Sequence, residues 1–133
     1  MALAEKNGVN REQVMNLLTS SIFNCLIFKG YGQRVSQRDH QPGGFSLELG
    51  YKDVSLVNKA ARDVNVPMPF LSTLVDRFTA AKAKNRAEMD WSAIGLNVAE
   101  DAGIDITKDL QKNYELIENA KKKNKAAKKE ENK

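Results

Sequence analysis

The stretch Gly43–Val57, "GGFSLELGYKDVSLV", sets Lys52 and Asp53 side by side inside an otherwise apolar segment. Its spacing predicts a helix from near Ser46 to Val64, with Leu49, Leu56, Val57, Ala60 and Val64 along its buried side. A lysine–aspartate pair on such a helix is most simply a solvated ion pair, worth ~0–1 kcal/mol. Adjacent residues do not face each other on a helix. Upstream, "DHQPGG" (39–44) carries every turn signal, so His40 within it is expected to be exposed. Downstream, "VPMP" (66–69) ends the helix, because Pro67 and Pro69 disfavour helical backbone just before them.

Working outward, the whole chain reads as helical. Residues 1–7 look like the last turns of a helix stopped by Gly8. Asn10 is a good N-cap for "REQVMNLLTS", with Gln13 in the capping-box position, and Val14, Leu17 and Leu18 form its buried stripe. In "SIFNCLIFKGYGQRVSQR", Ile22, Phe23, Leu26 and Ile27 have helical spacing. Gly30 and Gly32 interrupt it at roughly 1 kcal/mol each relative to alanine, marking either a break or a close approach of another backbone. Past the prolines, Phe70, Leu71, Leu74 and Phe78 recur at helical spacing as far as about Lys84. Asp90 can cap "WSAIGLNVAEDAG", which Gly103 closes. Thr107 can cap a last helix with Leu110, Tyr114 and Ile117 on one face. Beyond Ile117 the apolar stripe stops, and a disordered tail or a fraying helix is expected. No repeat of 20 to 50 residues is visible.

The 133 residues are enough for one core without covalent staples. One cysteine, Cys25, excludes an internal disulfide and suits a reducing compartment. Its apolar neighbours suggest a small core hydrophobe. No apolar run approaches the ~20 residues of a membrane span, and the first residues lack a signal-peptide core. Residues 118–133 hold seven lysines and three glutamates, so the whole net charge of +4 lies there and residues 1–117 sum to zero. The basic pI therefore describes the tail, and nucleic acid is not expected among the partners.

The residues supply little chemistry of their own. "GYG" is not a GxGxxG phosphate turn and no strand precedes it. One cysteine and one histidine make no familiar zinc site, so no metal is expected. No GxSxG elbow is present.

"GGFSLELGYKDVSLV" nevertheless resembles the signature of the C-terminal helical domain of the β-hydroxyacid dehydrogenase family. That family includes the 3-hydroxyisobutyrate dehydrogenases and the glyoxylate and succinic semialdehyde reductases, and is related to 6-phosphogluconate dehydrogenase. "ALAEKNGVNREQVMNLLTSSIF" resembles the family's long-helix end, short helix and turn. "VPMPFLSTLVDRF" resembles its proline-started helix, and "DWSAI" the element near its usual C-terminus. The match covers roughly residues 1–104 in order; residues 105–133 have no recognised counterpart.

The resemblance implies an all-α, multi-helix bundle like the C-terminal domain of 6-phosphogluconate dehydrogenase. Residues 1–104 would be the dehydrogenase-like domain, 105–117 an extra helical extension and 118–133 a lysine-rich, disordered tail. It implies NAD or NADP as cofactor of the complete enzyme, with Lys52, Asp53 and Phe45 at the nicotinamide end. Lys52 matches the lysine that reaches the cofactor, Asp53 the aspartate beside it, and Phe45 the aromatic that packs by nicotinamide and substrate. For Phe45, core packing is the equal alternative. Ser20, Ser21 and Phe23 would fall in the turn that helps line the substrate pocket. Trp91 and Tyr51 are read as packing residues. The family's proton-donor lysine belongs to a motif upstream of residue 1, so no catalytic residue is assigned. The isolated chain is expected to hold no cofactor tightly and to be inactive alone. The alternative is a free-standing helical dimerisation or interaction module. Homodimerisation, a separate Rossmann domain as possible partner, no membrane partner and a cytoplasmic location are expected, with mitochondria the alternative if a leader precedes Met1.

Overall fold

A computed structural model describes residues 1–131. Among them lie seven α-helices and no strand: α1 (Ala2–Lys6), α2 (Arg11–Thr19), α3 (Leu26–Gln37), α4 (Leu47–Asp63), α5 (Pro69–Ala83), α6 (Ile94–Asp101) and α7 (Thr107–Glu131). A single 3-10 turn, Trp91–Ala93, leads into α6. The expected all-α bundle is therefore what the chain forms.

Local chemistry sets most helix ends. The Asn10 side chain accepts from the amides of Glu12 and Gln13 at 2.9 and 3.1 Å, satisfying two otherwise orphaned donors at the start of α2. Ser46 does the same for Leu49 at 3.2 Å. Asp90 accepts from the Ser92 amide at 3.0 Å. Pro69 opens α5, where its missing amide costs nothing. Gly103 follows α6 at φ 69°, a left-handed position that suits glycine. α4 and α5 are followed by Asn65 and Asn85 in the same region, at φ 57° and 59°. Thr107 is the first residue of α7 rather than its cap; Asp105 accepts from the Thr107 amide at 2.9 Å and from its hydroxyl at 2.6 Å.

The core is one cluster: Leu47 from α4, Phe78 and Ala81 from α5, then Met89, Ala93, Leu96, Ala99, Ile106 and Ile117. Each fully buried large side chain contributes about 1.5–3 kcal/mol. α4 packs on α5 through Gly50, where a β-carbon would meet Phe78 Cε1 at 2.7 Å. α3 continues through Gly30 and Gly32 without a break. Gly32 is buried against the Met15 side chain of α2, so the close approach is by a side chain.

Several expected burial patterns are reversed. On α4 the inward positions are Leu47, Gly50, Tyr51 and Val54, whereas Leu49, Leu56, Val57, Ala60 and Val64 face outward and are exposed. On α2, Met15 is the buried residue and Leu17 is exposed. Ile22, Phe23, Leu26 and Ile27 do not form a buried face: the chain turns between α2 and α3, and all four are exposed. Cys25 is exposed with them. On α5, Phe70 faces outward while Leu71 and Phe78 go in.

α7 is bolted to the domain by its first half. Asn113 is fully buried; its amide nitrogen donates to the Arg38 carbonyl at 2.9 Å and its oxygen accepts from the His40 amide at 2.7 Å. Arg38, left-handed at φ 50° and buried, bridges Asp109 at 2.8 Å and Glu5 at 2.5 Å, tying α1 and α7 to the same corner. Residues 118–131, expected to be disordered or fraying, continue α7 as helix. Alanine and lysine are strong helix formers, which suits that continuation. Residues 132–133 lie outside the described residues.

Candidate functional site

The segment that holds Phe45, Lys52 and Asp53 is fixed at its N-terminal end by backbone bonds to residues 87–91. The Leu47 amide donates to the Met89 carbonyl at 2.8 Å, and the Trp91 amide to the Phe45 carbonyl at 2.9 Å. Phe45 is half-buried in the loop just before α4. Trp91, whose amide makes the bond to Phe45, packs edge-on against Tyr31 with ring centroids 5.0 Å apart. Tyr51 lies under the Lys82 ammonium, 4.2 Å from its ring centre.

Lys52 and Asp53 both project into solvent, 58% and 50% exposed, with Nζ and Oδ1 3.0 Å apart. The long lysine side chain spans the angle that separates neighbouring residues on a helix. Asp53 shares its side of α4 with Leu49, Leu56, Val57 and Ala60, by helical spacing. Lys52 lies at the edge of that side, its ammonium paired with Asp53 and open to solvent.

Ser20, Ser21 and Phe23 lie in the turn between α2 and α3. Both hydroxyls point back onto the end of α2: Ser20 Oγ donates to the Leu17 carbonyl at 3.1 Å, and Ser21 Oγ lies 2.9 Å from the same oxygen. Phe23 stacks on Phe28, with centroids 4.8 Å apart. The structure thus joins Lys52 to Asp53. Among the described residues no hydrogen bond or ion pair links the 20–23 turn to α4.

Two buried polar clusters escaped the sequence reading. His40, expected to be exposed, is 1% exposed. Its Nδ1 lies 2.9 Å from Ser92 Oγ, which donates to Asp90 Oδ1 at 2.6 Å. Since a carboxylate only accepts, the hydroxyl proton goes to Asp90, and Nδ1–H donates to Ser92. Burial pushes the His40 pKa down to about 4, against the opposing pull of Asp90 and Asp39. The second cluster is Arg86, 2% exposed, whose guanidinium donates to Asn97 Oδ1 and, at 2.5 Å, to Glu100 Oε1. The hydrogen bond from Arg86 holds the Glu100 carboxyl below its usual range, helped by Lys84. Asp90, two residues before Ser92, is the one local signal of the first cluster, and it caps the 3-10 turn as well.

Among the described residues, no group of three or more His, Cys, Asp or Glu could hold a metal ion. No helix there is long and apolar enough to cross a membrane.

A family model described as the NAD-binding domain of NADP-dependent 3-hydroxyisobutyrate dehydrogenase matches residues 1–98. An uncharacterised oxidoreductase of Bacillus subtilis is 27% identical over 92 residues, 69% of this chain and 32% of that protein. L-threonate dehydrogenase of Escherichia coli is 28% identical over 94 residues, 71% of this chain and 31% of the enzyme. The crystal structure of a 3-hydroxyisobutyrate dehydrogenase from Salmonella typhimurium superposes with a TM-score of 0.65 at 28% identity, covering 71% of this chain and 33% of that one. The chain spans about a third of the length of these relatives.

Proposed function

Because the chain belongs to the β-hydroxyacid dehydrogenase family, we propose that it serves as the helical domain that closes over nicotinamide and substrate. The observation that carries this reading is the setting of Lys52. It stands at the edge of an apolar side of α4 that no other part of the described chain covers. Such a surface calls for a complementary one, and a dinucleotide-binding domain is the natural occupant in this family. Lys52 would then reach the nicotinamide end of NAD or NADP, Asp53 would hold the lysine, and Phe45 would pack beside the ring. Ser20, Ser21 and Phe23 would line the outer pocket. The cofactor supplies the hydride; this chain supplies binding, orientation and exclusion of water. Small hydroxy acids or the corresponding aldehydes are the substrate class, after the names that the relatives carry.

A chimera tests this. Residues 1–104 replace the matching segment of L-threonate dehydrogenase, and cofactor oxidation or reduction is followed by absorbance. The folded chimera should turn over, whereas this chain alone should not. Lys52→Ala should lower chimera activity by about 10–100-fold, the loss of one charge-assisted hydrogen bond. Turnover by residues 1–133 alone, or an unchanged Lys52→Ala chimera, would refute the assignment.

The same reading includes self-association. Ile22, Leu26 and Ile27, at the turn into α3, and Phe70 on α5 are exposed apolar groups left for a second copy to cover. Light scattering on the purified chain should give the mass of a homodimer. A monodisperse monomer would remove dimerisation from the proposal.

A further inference from the structure

We propose that the second half of α7 is a docking surface for the phosphate backbone of a nucleic acid. This surface lies outside residues 1–98, the part matched by the family, and the proposal is independent of the dehydrogenase reading. Residues 119–129 contain six lysines and no acidic residue. As a disordered tail they would have no defined face. As a helix they do: at about 100° per residue, Lys121, Lys122, Lys125, Lys128 and Lys129 fall within about 120° of the helix surface, and Lys123 alone lies opposite. The side chains of residues 121–130 are all exposed.

The stripe is held at a set angle to the domain. Asn113 and Ile117 bury the preceding turns, and Lys121 bridges Glu88 at 2.6 Å. Lysines at i, i+3 and i+4 repel each other along a helix, so a polyanion laid on this face relieves strain that water alone only screens. The stripe runs about 12 Å, over which a duplex presents one negative charge per ~1.7 Å.

The chemistry also says what is not bound. An interfacial membrane helix needs a broad apolar face, and this segment offers only Ala120, Ala126 and Ala127. It has no arginine for bidentate reading of bases and no aromatic ring for stacking. Binding is therefore to the backbone, independent of base sequence and steeply dependent on salt.

The test uses the full chain, a fluorescein-labelled DNA duplex and anisotropy between 50 and 200 mM salt. Three contacts, from Lys122, Lys125 and Lys129, give a slope of log affinity against log salt of about −2.7, an affinity loss of about 40-fold over that range. Lys125→Glu and Lys123→Glu make the same charge change on opposite faces, with helix content checked by circular dichroism. Lys125→Glu should weaken binding several-fold more than Lys123→Glu. Equal losses would overturn the stripe. No binding at 50 mM salt, or binding to phosphatidylserine vesicles without binding to duplex, would overturn the docking surface itself.

Discussion

Arg86→Ala should lower the free energy of unfolding by about 2–4 kcal/mol, the cost of stranding a buried acceptor and opening a cavity. Arg86 is 2% exposed, so its guanidinium has left water and depends on Asn97 and Glu100 for its hydrogen bonds. Its removal strands Asn97 Oδ1, itself on a residue 1% exposed, and opens a cavity beside the core. Glu100 would be less affected, because Lys84 still reaches its other oxygen at 2.8 Å. Asn97 Nδ2 has no partner even in the intact chain. Arg86→Met combined with Asn97→Leu should therefore cost less than Arg86→Ala alone, since the orphaned groups go together. Urea unfolding followed by circular dichroism measures all of these. A loss below about 1 kcal/mol for Arg86→Ala would mean that packing, and not the buried guanidinium, holds this corner.

The second large effect is a dependence on pH. His40 has its pKa lowered from 6.5 to about 4 in the folded chain, so the unfolded chain binds the proton more readily. Stability from this group is complete above pH 6.5, falls as pH falls towards 4, and is then constant. A shift of this size corresponds to about 3 kcal/mol at one and a third per pKa step. The neighbours that modulate it are Asp90, Asp39 and Asp109, which favour the charged ring, and Arg34, which opposes it. Glu100, held low by Arg86, adds its own loss only below its ordinary value of 4.5. The window from 6.5 to 4.5 is therefore His40's. Urea midpoints measured across it should decline steadily, and His40→Gln should flatten that decline. A wild-type midpoint unchanged between pH 7 and 5 would show that the ring is not buried neutral.

What was legible beforehand was local. Asn10 and Asp90 mark helix starts through contacts within three residues, and each does so in the structure. The all-helical class followed from spacing. Burial was less legible, because spacing finds an apolar stripe without saying what covers it. α4 carries two such stripes. The one with Leu49, Leu56 and Val57 is exposed, and the one interrupted by Gly50 is inside. Gly50 lacks a side chain, and that is what lets Phe78 approach the helix. His40 was misread because its partners Ser92 and Asn113 stand 52 and 73 residues away. Arg86 stands in "NRAEMD", which has the polarity of a connector, while its partners Asn97 and Glu100 lie 11 and 14 residues on. The pairing of Lys52 with Asp53 is visible in both sequence and structure, and it means more once its helix face is seen to lack a cover.

The Asn113 side chain ties two backbone groups of the 38–40 corner to a helix more than seventy residues later in the chain. The His40 amide and the Arg38 carbonyl both wait for it. At roughly 5–20 residues per second, the 73 residues between His40 and Asn113 take about 4–15 s to synthesise. During that interval the His40 amide and the Arg38 carbonyl lack this partner. A chain shortened before Asn113 would leave both groups without their side-chain partner.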